Sequence, residues 1–378
     1  EAKIWPDYSL ISEFPDVGTP YKFLNSGGFI GSIKNIKKLI QTPIESHHDD
    51  QLYYQHEYLK SVKNTINLKI KLDAKAEIFQ TLSSHFEQIT IDKSISKVKN
   101  NLTDTNPMVV HGNGGPSSKT YIDKLCNYIN VKYRDIYGYK DNHSNLKKLE
   151  IAESDYPTIY MIITVDKKEL FPKFTEFFQQ NYPKNYIQYH VLNLSGETLE
   201  EEVKHFQEQH NTLIYLTTLN NDCNELRTFY IRLLTNMHNV YEYFFMGNIR
   251  HIIKDVEWIK KAICSNLDIV APMLIGENNA HFSNFWGEVN EYNGYYKRSW
   301  DYMDLIKRYY KGYWNVPYIS GSMLIHKNKW KPIIKAIQNE NIKDREVTNF
   351  DMFFCRCLQL RGIFMYISNY HNYGYICD

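Results

Sequence analysis

Thr158-Ile159-Tyr160-Met161-Ile162-Ile163-Thr164-Val165 is an unbroken, largely apolar run, and Thr212 to Leu219 (TLIYLTTL) is a second of the same kind. Short runs this uniformly apolar suit parallel strands covered on both faces. Between them, Phe171 to Asn181 places apolar residues at helical spacing, so the segment reads as strand, helix, strand. Further strand candidates at Tyr241 to Met246, Leu267 to Ile275 and Tyr318 to His326 extend the rhythm. The expected architecture of this half of the chain is an α/β sheet with helices on both faces.

Moving toward the N-terminus, Val131 to Tyr156 turns polar and loses periodicity, with Gly138, the Asp141 to Asn145 cluster and then Pro157. That composition reads as a linker. The chain's 378 residues are more than twice the usual ~150 per domain, so residues 1–130 and 157–378 are read as two domains joined by 131–156. The first domain offers Phe29 to Gly31 and Met108 to Val110 as strand pieces and Asp50 to Val62 as a helix. These are too few elements for a complete doubly wound sheet. No internal repeat of solenoid period is present.

Composition narrows the function. Hydrophobic residues at 43% against charged ones at 23%, with 31 Tyr and 19 Phe, suit a packed core and exclude a disordered chain. Lys plus Arg at 44 against Asp plus Glu at 43 leaves a formal charge of +1, so no global field steers the chain onto nucleic acid or an anionic membrane. No apolar stretch approaches the ~20 residues needed to span a bilayer. The six cysteines form no Cys-x-x-Cys pair and are too sparse for a disulfide scaffold. Sequons stand at Asn101, Asn142 and Asn193. The chain opens at Glu1 without an initiator Met or a charged-then-apolar leader, which reads as a signal absent or removed with a missing N-terminus.

Three constellations carry candidate chemistry. In Phe23-Leu24-Asn25-Ser26-Gly27-Gly28-Phe29-Ile30-Gly31, small residues allow a ligand close to the backbone, and the Asn25 amide suits a sugar hydroxyl. A tight turn is the plainer reading. In His47-His48-Asp49-Asp50-Gln51, adjacent carboxylates open the predicted helix, where they suit sugar hydroxyls or a positively charged transition state, or simply cap the helix. The most specific is Met108-Val109-Val110-His111-Gly112-Asn113-Gly114-Gly115-Pro116-Ser117-Ser118-Lys119. A strand delivers His111 as a metal ligand, the glycines let the backbone wrap phosphate oxygens, and Lys119 offsets charge on a departing nucleotide diphosphate. A surface loop is the alternative.

In this order NSGG, DDQ and HGxG-P-K resemble the second half of a GT-A glycosyltransferase domain, that of the multifunctional procollagen lysyl hydroxylases. Trp5-Pro6, Phe14-Pro15 and Ile78-Phe79-Gln80 stand in the family's order. The likeness continues through Ala271-Pro272-Met273-Leu274, Ser283-Asn284-Phe285-Trp286-Gly287, Tyr295-Tyr296-Lys297-Arg298-Ser299, Trp314-Asn315-Val316-Pro317-Tyr318-Ile319-Ser320 and Asp351-Met352-Phe353-Phe354-Cys355. The resemblance implies two tandem GT-A (Rossmann-like) α/β domains, the first truncated at its N-terminus and the second a non-catalytic accessory domain. It implies Mn²⁺-dependent, retaining transfer of glucose from UDP-glucose to hydroxylysine or galactosylhydroxylysine of collagen-like chains, in the endoplasmic reticulum lumen or secretory pathway. By the same resemblance His111 is the metal ligand and Asp49 and Asp50 are the acidic catalytic motif. Asn25, Gly27 and Gly28 line the sugar site, Gly112, Asn113 and Gly114 belong to the donor loop, and Lys119 faces the diphosphate.

The departures are specific. Nothing before Trp5 supplies the family's nucleotide-binding half or its Asp-x-x-Asp motif, so this chain alone is expected to bind donor poorly. An extra glycine in His111-Gly112-Asn113-Gly114-Gly115-Pro116 displaces Lys119 by one residue relative to the family's loop. The acidic stretch of the second domain reads Met246-Gly247-Asn248-Ile249-Arg250, and an arginine is unsuited to a cation site. Fe²⁺ and 2-oxoglutarate belong to the family's hydroxylase domain, which is absent from this sequence, and His48-Asp49-Asp50 matches its H-x-D motif by spelling only. A homodimer is suggested for the full-length protein. Two rival readings are a non-catalytic module that positions collagen-like peptide through aromatics such as Trp286, Tyr295, Tyr296, Trp300 and Trp314, and a glycosyltransferase with another acceptor.

Overall fold

The computed structural model describes residues 1–114, 122, 125 and 156–377, apart from gaps at 42–43, 46, 84–87, 93–96, 238, 290–295, 310, 341–348 and 362. Lys119, Tyr295 and the linker read at 131–156, Tyr156 excepted, lie outside the described residues. The chain forms two compact units, Glu1–Val131 and Lys132–Asp378.

In the first unit, helix α1 (Ile33–Leu39) and helix α2 (Asp50–Val62) precede four short strands. These are β1 (Phe79–Thr81), β2 (Ile89–Asp92), β3 (Lys97–Asn100) and β4 (Val109–His111). β1 and β4 run parallel with Phe79 opposite Val109 and Thr81 opposite His111, while β2 and β3 form an antiparallel pair. Side chains hold much of the remaining backbone. The Asp73 carboxylate accepts from Glu77 N at 3.0 Å, Ile78 N at 2.7 Å and Phe79 N at 2.8 Å, fixing the entry to β1. Buried Asn100 donates to Gln80 Oε1 at 2.7 Å and to Tyr21 Oη at 2.8 Å. A small apolar core gathers Ile4, Leu10, Phe14, Phe23, Tyr58 and Leu59, with Phe14 stacked on Tyr58 at 5.5 Å. Phe29 to Gly31, expected as a strand, is irregular and exposed. No described strand supplies it with ladder partners, and apolar content alone does not make a strand.

The second unit is built on one eight-stranded sheet. Strands β5 (Ile159–Val165), β6 (Ile187–Asn193), β7 (Ile214–Thr218) and β8 (Tyr243–Asn248) are all parallel, in the order β8-β5-β6-β7. Beyond β8 come antiparallel Met323–His326, then Ile269–Pro272, Tyr366–Ser368 and Tyr313–Asn315. β5 is buried at six of its seven positions, so both of its faces are covered, as its uniform apolar reading requires. The α/β architecture is as expected, with four local differences. The span read as one strand, helix, strand also holds β6 and the helix Glu200–His210, so β5 and β7 are not neighbours but flank β6. Phe171–Asn181 is a 3₁₀ turn through Pro172 followed by the short helix Phe174–Phe178, because proline lacks the N–H a longer helix needs. Tyr318 to His326 is two strands separated at Gly321, whose φ of +65° turns the chain. Leu267 to Ile275 likewise divides into Ile269–Pro272 and Ile275–Gly276.

Among the sequons, Asn193 is fully buried, and its amide donates to Glu197 O at 2.6 Å, so it is closed to glycosylation. Asn101 is exposed, and Asn142 lies outside the described residues. No helix among the described residues is long and apolar enough to cross a membrane.

Candidate functional site

Helix α2 begins at Asp49, whose Oδ1 accepts from Leu52 N at 2.9 Å. Asp49 is therefore the N-cap, and Asp50, exposed in the first turn, faces the positive end of the helix. The buried face of α2 carries Gln51, Gln55, Tyr58 and Leu59, the spacing of one helical stripe. Two of those four are amides, and both act on the chain ahead of the helix. Gln51 accepts from Ser26 N at 2.7 Å and donates to Leu24 O at 2.5 Å, so one side chain pins both ends of the Leu24 to Ser26 loop. Gln55 donates to Trp5 O at 3.0 Å.

The loop so pinned meets the end of β4. Asn25 Oδ1 accepts from Gly27 N at 2.9 Å and lies 3.2 Å from His111 Nδ1, while Asn25 Nδ2 donates to the Glu1 carboxylate at 3.1 Å. Gly27 lies directly against the imidazole. A Cβ added there would fall 2.0 Å from His111 Cε1, far inside contact distance. Gly28 faces the Phe79 ring at 3.1 Å from the same construction. These groups edge a cavity of about 540 Å³ whose lining includes Asn25, Gly27, Gly28, Tyr54, Phe79 and His111. Asp49 and Asp50 are not in that lining.

The glycine loop after β4 is anchored at Asn113. Its Oδ1 accepts from Leu82 N at 3.0 Å and Ser83 N at 3.1 Å, and its Nδ2 donates to Glu1 at 3.0 Å. Gly112 approaches Ile122, leaving 3.0 Å for an added Cβ, and Gly114 has φ of +87°, a conformation that side chains disfavour. The site residues named from sequence thus divide. Asn25, Gly27, Gly28 and His111 are brought together at the cavity, Asn113 pins its loop, and the two aspartates sit at the helix start.

His111 suits one position of a divalent cation's shell, an imidazole whose other nitrogen is hydrogen-bonded. Among the described residues no group of three or more His, Cys, Asp or Glu side chains closes around a cation. These residues therefore supply one donor and do not make a complete cage. Gln51 is the residue whose structural weight the sequence understated. Its signal was available as two glutamines spaced four apart on the helix face otherwise occupied by Tyr58 and Leu59.

In the second unit the chain passes from β5 outward through β6 to β7 and returns to place β8 on the other side of β5. In open α/β sheets ligands bind outside the carboxyl ends of the strands at such a reversal. Here Asp166 follows β5 and Arg250 follows β8, and they are ion-paired at 2.8 Å through Arg250 Nε. Asn248 Oδ1 accepts from Arg250 N at 2.9 Å. An arginine with its counter-ion occupies the position where a cation-binding sheet would present carboxylates.

Residues 1–139 match the family model described as PLOD GT domain, and residues 145–378 match that of Glycosyltransferase family 25, N-terminal domain. The chain is 30% identical over 388 residues to procollagen-lysine,2-oxoglutarate 5-dioxygenase 1 of Gallus gallus, covering 100% of this chain and 52% of that protein. It is 31% identical over 394 residues to the multifunctional procollagen lysine hydroxylase and glycosyltransferase of Caenorhabditis elegans, covering 98% and 51%. The chain spans about half the length of the curated relatives it matches. Among solved structures, S. aureus TarS aligns with a TM-score of 0.38 at 13% identity, over 58% of this chain and 60% of that one.

Proposed function

This chain belongs to the family of procollagen lysine hydroxylases and glycosyltransferases, carrying a PLOD GT domain and a glycosyltransferase family 25 domain, and from that premise we propose that its first unit contributes to a hexosyl-transfer site. The donor is UDP-glucose and the acceptor hydroxylysine or galactosylhydroxylysine of collagen-like chains. The observation that carries this reading is the convergence of Asn25, Gly27 and His111 at the edge of one cavity.

In a retaining transfer, the bond from the sugar's anomeric carbon to the diphosphate breaks and a bond to the acceptor oxygen forms on the same face. The acceptor proton passes to the departing diphosphate. Leaving-group stabilisation then matters more than a strong base. His111 is the one imidazole that these residues offer to a Mn²⁺ ion, which when bound supplies Lewis-acid stabilisation of the diphosphate. Gly27 and Gly28 keep the sugar pocket open to the backbone, Gly112 and Gly114 let the donor loop run close to phosphate, and Lys119, outside the described residues, is assigned by the family's motif to offset the diphosphate charge. Asp49 and Asp50 lie outside the cavity lining and are assigned to the sugar and acceptor by the family's motif alone, Asp50 being the freer of the two because Asp49 caps the helix.

The second unit serves as a scaffold or acceptor-recruiting module. The Arg250–Asp166 pair supports this, because it neutralises the strand-end position without leaving a cation site. The domain boundary falls within 131–156, and the protein acts in the endoplasmic reticulum lumen, its full-length form a homodimer. Calorimetric titration of UDP and UDP-glucose, with and without Mn²⁺, into the protein tests the first-unit assignment. Metal-dependent donor binding that His111→Ala reduces at least about 10-fold is expected. Equal binding by the variant would overturn it.

A further inference from the structure

We propose that Asn25 is a positioning residue that fixes His111 as the Nδ1–H tautomer and leaves Nε2 as the nitrogen with the free lone pair. The argument rests on which way the Asn25 amide faces. Its oxygen lies 2.9 Å from the Gly27 backbone N–H, which can only donate, and its nitrogen lies 3.1 Å from the Glu1 carboxylate, which when ionised can only accept. Turning the amide over would set two donors against each other at Gly27 and two acceptors against each other at Glu1. Both neighbours therefore select the same orientation, and neither involves the histidine.

With that orientation set, Asn25 Oδ1 is what faces His111 Nδ1 at 3.2 Å. Oxygen cannot donate, so Nδ1 must carry the proton, and in a neutral imidazole Nε2 is then unprotonated. Gly27 supports the same end. Its missing side chain lets the backbone lie against the ring edge that holds Cε1 and Nδ1. Gln51, holding Ser26 N and Leu24 O, keeps the loop in register for both contacts. This role revises the reading of Asn25 as primarily a sugar ligand. Both acceptor positions of its oxygen are used within the protein, and one Nδ2–H remains for a ligand.

The usefulness of a bare Nε2 rests on the proposed ligand role of His111, but the tautomer does not. It is measured in the 378-residue chain without metal or substrate, by long-range ¹H–¹⁵N correlation of the histidine rings, with His111→Gln assigning the resonances. The expected pattern is a protonated Nδ1 and an unprotonated Nε2 for His111, retained in Asn25→Asp, which keeps an acceptor at the same length, and lost in Asn25→Leu. A purely structural asparagine would leave the ring pattern the same in the Leu variant. An Nε2–H tautomer in the unaltered chain, or an unchanged pattern in a folded Asn25→Leu, overturns the proposal. Should the Leu variant not fold, the spectrum of the unaltered chain decides alone. Normal donor binding by His111→Ala would remove the ligand role and leave the tautomer result standing, so the two failures are distinguishable.

Discussion

β5 and β4 are both short apolar strands that end in polar loops, yet they are held in different ways. β5 lies between β6 and β8 with seven register pairs on one side and six on the other, and nearly all of it is buried. β4 has three residues, pairs with β1 on one side, and has Val109 exposed. Burial specifies the first strand, and polar side chains specify the surroundings of the second. Asp73, Gln80, Asn100, Asn113 and Gln51 provide contacts in the first unit that strand ladders provide in the second. A site assembled from amides and glycines keeps backbone and polar atoms within reach of a ligand. A site buried under a continuous sheet would not.

That contrast sets where each unit is vulnerable. The largest effect is expected in the second unit, where Phe245 is 1% exposed on β8 and packs near Phe177. Phe245→Ala should cost about 3–5 kcal/mol by leaving a cavity that the close-packed sheet cannot fill. Hydrogen exchange should show the loss in the amides of β5 to β8, and equal loss of protection in β1 and β4 would break the comparison.

A smaller effect per residue should come from acid. Burial lowers the pKa of His190 and His251 to about 4, with His190 Nδ1 2.7 Å from Tyr160 Oη and His251 Nδ1 accepting from Ser322 N. Unfolded histidine titrates near 6.5, so between pH 6.5 and 4 the unfolded chain binds protons that the native second unit refuses. Stability is then complete above about 6.5 and lost as pH falls, by about 2 kcal/mol for each histidine between pH 7 and 5. Denaturant midpoints across that range should fall, and His190→Gln should flatten the slope. A midpoint that does not move from pH 7 to 5 would show that these rings are charged in the native state.

The smallest of the three belongs to the first unit. Gly27→Ala forces either the loop or the His111 ring to shift, an overpacking cost of about 1–3 kcal/mol. Its sharper signature is functional, because the shift breaks the Asn25 contact that sets the imidazole. Donor binding should fall further than stability, as read by calorimetry beside a denaturation curve. A variant that binds normally would show the loop to be looser than the glycine contact implies.

The α/β class of the second unit was legible in the residues because burial on both faces leaves a local mark. Six buried positions in a run of seven cannot be written with alternating polar residues, and TIYMIITV is not. The helix at Asp50 to Val62 and the glycine-rich turn before Phe29 were legible for the same reason, since caps and small residues act over a few positions. The strand read at Phe29 to Gly31 failed because a strand also needs a partner ladder, which lies far away in sequence. The cavity-edge cluster needed tertiary structure most of all. Asn25, Gln51 and His111 are 26 and 60 residues apart in turn, and each alone has an ordinary reading as a turn residue, a buried amide or a strand end. Hydrogen-bond direction joins Asn25 to His111, because a backbone N–H and a carboxylate agree on one orientation of the amide and the imidazole then answers to it, while Gln51 holds the loop in place, and that agreement exists only once the chain has folded.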